Sequence, residues 1–259
     1  MSRVTDFTHA IVRKPARSVV HGLRAGGGGD PSYDGVVAEH ERYIAALRAL
    51  GLDVDLLPPL EDFPDSLFVE DPAFVIPEGA ILLRPGAPSR LAEREALRPA
   101  LARHFDRVIE LEDGAFADGG DVLITPRAIL IGLSKRTNRA GAEALRAALA
   151  ELGRKARIVE TPKGVLHFKT ASSLLDDETI VCTKPMAESG IFVGFNTVLT
   201  PEGEDAAANL LRVNDTVLVG AAYTRTIDKL TARGFAVTAL PVAEIAKIDA
   251  GLSCMSLRW

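Results

Sequence analysis

Ala117-Asp118-Gly119-Gly120-Asp121-Val122-Leu123-Ile124, then Thr125-Pro126-Arg127, then Ala128-Ile129-Leu130-Ile131-Gly132-Leu133, reads as a polar-tipped strand, a tight turn and an apolar strand. A helical stretch from Asn138 to Leu152 follows. The same order recurs on both sides. Upstream, Phe68-Val69-Glu70-Asp71-Pro72-Ala73-Phe74-Val75-Ile76, the turn Pro77-Glu78-Gly79 and Ala80 to Pro85 precede a helix-like stretch from Ser89 to His104. Downstream, Leu166 to Leu175, the turn Asp176-Asp177-Glu178 and Thr179 to Cys182 make a third pass. Leu211 to Val213, the turn Asn214-Asp215, Thr216 to Val219 and a helix from Thr224 to Arg233 make a fourth. At the ends, His9 to Arg13 is a strand, Tyr33 to Leu50 a helix closed by Gly51, and Ile248 to Leu257 the strand expected to carry Cys254.

Repeats of this length mean one supersecondary unit that is stacked or arranged radially, with about five units sharing a centre. In a radial arrangement the polar residue at the same point of each unit faces the axis. Those residues are Glu70 and Asp71, Asp118 and Asp121, His167 and Lys169, and Cys254.

Composition narrows the chemistry. The 259 residues are 47% hydrophobic and 25% charged, ordinary for a globular protein. A formal net charge of −5 without a basic cluster argues against nucleic acid and suits a small cationic ligand. No apolar run reaches spanning length and the first residues lack a signal-peptide core, so no membrane partner and a cytoplasmic location are expected. Cys182 and Cys254 have no neighbours at zinc spacing, and no disulfide is called for. The run Gly26-Gly27-Gly28-Gly29 is too costly in backbone entropy for an element interior; its functional reading is a lid loop over residues 20–34.

An unpaired cysteine is often only a small apolar filler. Cys254 differs in its company: Gly251, Ser253 and Ser256 close by, and His167 in a polar context elsewhere, the pattern of a candidate nucleophile with a distant base. The thiolate is the reactive form, so such a site must lower the thiol pKa or supply a base. Carboxylates match the planar fork of a guanidinium. Arg84, Arg90 and Arg136 follow the first and second passes and suit a ligand carboxylate. Together these point to an amino acid with a guanidino group. Each piece also has a plainer reading: a solvated turn at Glu70-Asp71, a glycine turn at Asp118 to Asp121, a hydrogen-bonded core histidine at His167.

Seven stretches carry a resemblance along nearly the whole chain: Leu57-Pro58-Pro59, Pro64 to Asp71, Arg84-Pro85-Gly86-Ala87-Pro88-Ser89-Arg90, Asp118 to Leu123, Gly132-Leu133-Ser134-Lys135-Arg136-Thr137-Asn138, Leu166 to Lys169 and the Cys254 tail. In these the chain resembles the dimethylarginine dimethylaminohydrolase (dimethylargininase) family of the guanidino-modifying, or pentein, superfamily. The resemblance implies an α/β fold, a five-bladed propeller of ββαβ units, with residues 1–259 as a single catalytic domain. It implies hydrolysis of Nω-methylated arginine to citrulline and an alkylamine through a covalent thiouronium. Cys254 resembles the nucleophile, His167 the acid and base, and Asp118 the carboxylate that orients this histidine or contacts the substrate. Glu70 and Asp71 look like the guanidinium holders, Asp65 with the backbone of Leu23 the partner of the α-amino group, and Arg90 and Arg136 the carboxylate clamp. The backbone at Ile248 and Asp249 looks like pocket wall beside Cys254.

No metal and no organic cofactor is implied, and a homodimer is compatible with the pattern. Asp118 stands where some relatives carry glutamate, and the glycine run is unusually rich. The alternatives are a relative acting on arginine, citrulline or an amidino donor, and a silent arginine-binding module.

Overall fold

The Thr125-Pro126-Arg127 turn joins two short strands in antiparallel register, Val122↔Ile131 to Ile124↔Ile129. Around it, the computed structural model describes residues 3–24 and 29–259. In chain order the elements are β1 (His9–Arg13), α1 (Tyr33–Ala49), β2 (Asp53–Leu57), β3 (Ala73–Ile76), β4 (Gly79–Leu82), α2 (Glu93–His104) and β5 (Val108–Glu110). Then come β6 (Val122–Ile124), β7 (Ile129–Leu133), α3 (Arg139–Glu151), β8 (Ala156–Glu160), β9 (Ser172–Leu174), β10 (Thr179–Cys182), α4 (Lys184–Glu188) and β11 (Asn196–Leu199). The last are β12 (Leu211–Val213), β13 (Thr216–Gly220), α5 (Thr224–Thr231), β14 (Ala236–Leu240), α6 (Ala243–Ala246) and β15 (Leu257–Arg258).

The strands form five three-stranded sheets among the described residues. In four of them a tight turn makes the first pair antiparallel, and a crossover containing a helix makes the second pair parallel. The fifth sheet joins the chain ends: β15 is antiparallel to β1, and β1 is parallel to β2. That closure brings the Cys254 tail into the same ring of sheets as the other polar tips.

The helices weld neighbouring sheets. Asn138 caps α3 by accepting the Gly141 N–H at 2.7 Å. The face of α3 then buries Ala142, Leu145, Ala148 and Leu149 against Ile129 and Ile131 of its own unit and Ile76 and Ile81 of the preceding one. At α1, Ser32 caps the start and Gly51, at φ +92°, takes the left-handed turn that ends it.

The structure departs from the expected boundaries at the polar tips. The first pass's leading strand begins at Ala73 rather than Phe68, and the third pass's at Ser172 rather than Leu166. Cys254 is not on a strand: it sits in a single 3-10 turn, Leu252–Met255, ahead of β15. Similar turns, Gly119–Asp121 and Phe168–Thr170, precede β6 and β9. A strand alternates its side chains between faces, so a tip that must aim several polar groups at one point leaves the ladder. The short α4, with Pro185 in its first turn, was not expected. The proposed lid segment is framed by elements: Val20 and His21 end a 3-10 turn, Arg17–His21, and Tyr33 opens α1. Residues 25–28, with most of the glycine run, lie outside the described residues. Among the described residues no helix is long and apolar enough to cross a membrane.

Candidate active site

The glycine pair Gly119-Gly120 lets two units approach each other at the axis. A Cβ on Gly119 would meet the Glu70 carbonyl oxygen at 2.0 Å, and one on Gly120 would lie 2.8 Å from His167 Nδ1 and 2.9 Å from Asp71 Oδ1. Only hydrogen fits there. The Gly120 N–H donates to Asp71 Oδ1 at 3.1 Å, while Arg90 Nη1 donates to Asp71 Oδ2.

Asp118 is fully buried. Its Oδ1 accepts the Gly86 N–H at 2.7 Å, and its Oδ2 lies 2.9 Å from His167 Nε2. Burial disfavours the imidazolium, but Asp71, Asp118 and Asp121 together outweigh it and raise His167 to about 9. His167 is therefore a protonated acid at neutral pH. Asp121, expected at the axis, instead accepts the Ser134 and Thr137 hydroxyls, each at 2.6 Å, and the Phe168 N–H at 2.8 Å. It fastens the histidine turn to the loop that carries Arg136.

Cys254 keeps part of its surface open. Burial, then the nearby Glu70 and Asp71 carboxylates, push its thiol up to about 11. Its Sγ lies 3.6 Å from Asn209 Nδ2, and its carbonyl accepts the Glu70 N–H at 3.2 Å.

Cys254, His167, Asp71, Asp65, Leu23, Arg90, Arg136, Ile248 and Asp249 line one small cavity, with Phe68 and Ala250 completing its wall. The Leu23 N–H donates to Asp65 Oδ1 at 2.9 Å. Burial pushes Asp65 up, against the pull of Arg90 and this N–H. Asp249 takes φ +54°, a conformation uncommon for a side-chain-bearing residue, where the chain bends along the cavity. Arg136 reaches Asp118 Oδ2 at 3.6 Å and stays partly exposed. Arg90 is buried, held by Asp71, by Glu93 at 2.8 Å and by the Phe68 carbonyl at 2.9 Å. Arg84, expected with Arg90 and Arg136 to suit a ligand carboxylate, pairs with Asp113 at 2.8 Å and is not part of the cavity wall.

Glu70 is corrected by the structure. Expected beside Asp71 on a guanidinium, it turns to the other side, with Lys169 Nζ at 2.5 Å, Ser253 Oγ at 3.0 Å and Arg258 Nη2 at 3.4 Å. Adjacent residues in this stretch of chain project apart, so only one of the pair faces the cavity.

Asp71, Asp118 and His167 could between them offer ligand atoms within 4.8 Å of one another to a metal ion. Their carboxylate oxygens already accept Gly120, Arg90, Gly86 and His167, so the cluster fits a hydrogen-bonded acid and base set better than a cation cage.

Sequence reasoning missed Phe68 as a wall residue and Asn209 altogether. The signal for Asn209 was the repeat itself: it is the polar residue just ahead of β12, where the other units carry theirs.

Residues 30–189 match the family model described as N,N dimethylarginine dimethylhydrolase, eukaryotic. Over 254 residues, 98% of this chain and 100% of the relative, the sequence is 39% identical to the N(G),N(G)-dimethylarginine dimethylaminohydrolase of Pseudomonas aeruginosa. The chain belongs to the dimethylarginine dimethylaminohydrolase family. A solved dimethylarginine dimethylaminohydrolase from P. aeruginosa, a cysteine-to-serine mutant complexed with citrulline, matches with a TM-score of 0.95 at 38% identity, covering 98% of this chain and 100% of that one. A histidine-to-glycine dimethylarginine dimethylaminohydrolase, an adduct with S-methyl-L-thiocitrulline, matches with the same TM-score, identity and coverage. The five sheets are thus the five-bladed α/β propeller expected from the dimethylarginine dimethylaminohydrolase resemblance.

Proposed function

We propose that this chain hydrolyses Nω-methylated arginine to citrulline and methylamine or dimethylamine. The observation that carries the reading is the convergence on one cavity of a thiol, a carboxylate-paired imidazolium and the carboxylates of Asp71 and Asp65, in a member of this family. The citrulline complex and the thiocitrulline adduct of its relatives support the same ligand class.

In this reading Asp71 receives the guanidinium, with bidentate N–H donors matching its carboxylate. Arg136 and Arg90 face the α-carboxylate, Asp65 with the Leu23 backbone the α-amino group, and Ile248 and Asp249 the side-chain stem. Burial first, then Glu70 and Asp71, keep the Cys254 thiol protonated; a bound cationic ligand offsets the carboxylate share, so substrate itself promotes the thiolate. The thiolate attacks the guanidinium carbon. His167, held in orientation by Asp118, gives its proton to the departing amine, leaving a thiouronium on sulfur. The neutral imidazole then takes a proton from water as the oxygen adds to that carbon; the C–S bond breaks, its electron pair returns to sulfur, the hydroxyl's remaining proton restores the thiol in place of the one first released to solvent, and citrulline leaves.

In this scheme Leu23, within the expected lid segment, holds Asp65 beside the ligand, and residues 1–259 act as one catalytic domain. A cytoplasmic setting accords with two unpaired thiols. The test is citrulline release from asymmetric dimethylarginine, monomethylarginine and arginine side by side, with dimethylamine and ammonia measured as co-products. Turnover of the methylated forms with arginine nearly inert is expected; turnover of arginine alone, or of none, sinks the proposal.

A further inference from the structure

Four units bring a polar group to the cavity end of the axis from residues just ahead of an inner strand: Asp71 before β3, Asp118 before β6, His167 before β9 and Cys254 before β15. The fifth position, ahead of β12, is Asn209, which follows the 3-10 turn Asp205–Ala208. We propose that Asn209 is a catalytic residue whose side-chain N–H holds the Cys254 sulfur and stabilises its thiolate. The proposal rests on Cys254 being the nucleophile.

Its orientation is forced rather than chosen. The Ser253 N–H points at Asn209 Oδ1 from 3.3 Å, and a backbone N–H needs an acceptor, so the other end of the carboxamide, Nδ2, is the one that faces Sγ at 3.6 Å. That separation is an ordinary hydrogen-bond length for an acceptor as large as sulfur.

The backbone around Asn209 is also held. The buried Ser173 hydroxyl is shared between the carbonyls on either side, Ala208 at 2.7 Å and Leu210 at 2.9 Å. The Asn209 N–H donates to the Ala206 carbonyl at 3.2 Å. Gly251 supplies the clearance: a Cβ there would lie 2.4 Å from Asn209 Cγ and 2.7 Å from Nδ2. Two other units therefore hold Asn209, one through Ser173 on its backbone and one through Gly251 and Ser253 on its amide, and set that amide against the sulfur.

The charges around the thiol explain why a donor is useful. Glu70 and Asp71 both oppose a thiolate, and burial opposes it more strongly. Protonated His167 lies in the same cavity, whose wall adds Arg90 and Arg136 as cations and Asp65 and Asp249 as anions. Of the groups that pull the thiol pKa down, two are named contacts, the Gly251 backbone and the Asn209 side chain. The donor acts twice in the scheme: when sulfur attacks, and when it leaves the thiouronium carbon with the bonding pair.

Two substitutions in the full chain test it, Asn209→Ala and Asn209→Asp. Aspartate keeps the shape and the acceptor for Ser253 but replaces the donor with an anionic oxygen, a change that a purely structural role would tolerate better than alanine. Iodoacetamide alkylation of Cys254 without substrate, followed by mass spectrometry well below the thiol pKa, tracks the thiolate fraction. Loss of one hydrogen bond to the charged form is expected to raise the thiol pKa by about one unit. The alkylation rate then falls about three- to tenfold, since a more basic thiolate is individually a better nucleophile.

The Asn209→Asp rate is expected to fall further than that of Asn209→Ala, and kcat on asymmetric dimethylarginine to fall about tenfold or more in both, with KM changed by less than about threefold. Wild-type alkylation and kcat in a folded Asn209→Asp protein overturn the proposal, and this variant decides the matter if Asn209→Ala does not fold. A wild-type chain that neither alkylates at Cys254 nor releases citrulline removes the nucleophile reading and the proposal with it.

Discussion

The two cysteines share a number and little else. Both thiols are pushed up to about 11. For Cys182, at the end of β10 among Leu123, Phe168, Met186 and Phe192, burial is the whole cause, and nothing nearby can reverse it. For Cys254 burial is joined by Glu70 and Asp71, while Asn209 and the Gly251 backbone pull the other way. Burial is the largest cause at both, but the carboxylate share at Cys254 is one that a bound cation can cancel, and Cys182 has no such share. A raised thiol pKa in the empty protein therefore does not mark an inert cysteine, and the useful question is what raises it.

The comparison is most exposed at the nucleophile. Cys254→Ser is expected to lower kcat on asymmetric dimethylarginine by more than about a thousandfold with the circular dichroism spectrum unchanged, because a serine hydroxyl in the same field is far less ionised. Retained turnover in that variant would make the two cysteines equivalent after all.

His167→Gln comes next, with an expected loss of about 10²- to 10⁴-fold in kcat. The same variant reads the acid's pKa. Because the folded value, about 9, lies above the ordinary histidine value of 6.5, His167 contributes stability that is complete below about pH 6.5 and is lost as pH rises through about 9. Urea unfolding of wild type should show a decline in stability across that window, and His167→Gln should flatten it; an unchanged slope would place the raised pKa elsewhere.

Arg136→Ala touches neither thiol and should act on binding. Its loss is expected to raise KM about ten- to a hundredfold with a smaller change in kcat, the size of one charge-assisted contact. A kcat effect alone would move Arg136 from the carboxylate clamp to the Asp118 pair at 3.6 Å.

The smallest effect belongs to the other cysteine. Cys182→Ala should leave kcat/KM within about twofold and cost about 1 to 2 kcal/mol of stability, measured by denaturant unfolding, as a small side chain removed from a packed core does. Ligand should protect Cys254 from iodoacetamide and leave Cys182 as slow as before; equal protection of both would refute the distinction.

The repeat was legible because its signals are local. Pro77-Glu78-Gly79, Thr125-Pro126-Arg127 and Asn214-Asp215 are turn chemistry flanked by apolar strands, and the helices α1, α2, α3 and α5 follow in the expected places. The helix α4 was not legible, since five residues with a proline in the first turn are too few to display an apolar stripe. At the site, Cys254, His167, Asp118 and Asp71 stood out as polar residues at the tips of apolar strands. Glu70 stood out equally and faces the other way, towards Lys169 and Arg258. Asn209 was hidden in an alanine-rich stretch, although the repeat pointed to its position.

The amino-acid sequence alone determined the strand-turn-strand-helix unit, the number of times it recurs and the chemical types offered at each tip, because turn residues and apolar periodicity act over a few positions. Which end of the axis each tip serves was decided only when β15 paired with β1 and the ring closed. Asp71, Asp118, His167, Asn209 and Cys254 lie tens of residues apart in the chain, and their meeting depends on close approaches at Gly119, Gly120 and Gly251 that only the packed units create. Short-range preferences set what each segment is; burial across the seams between units sets what it faces.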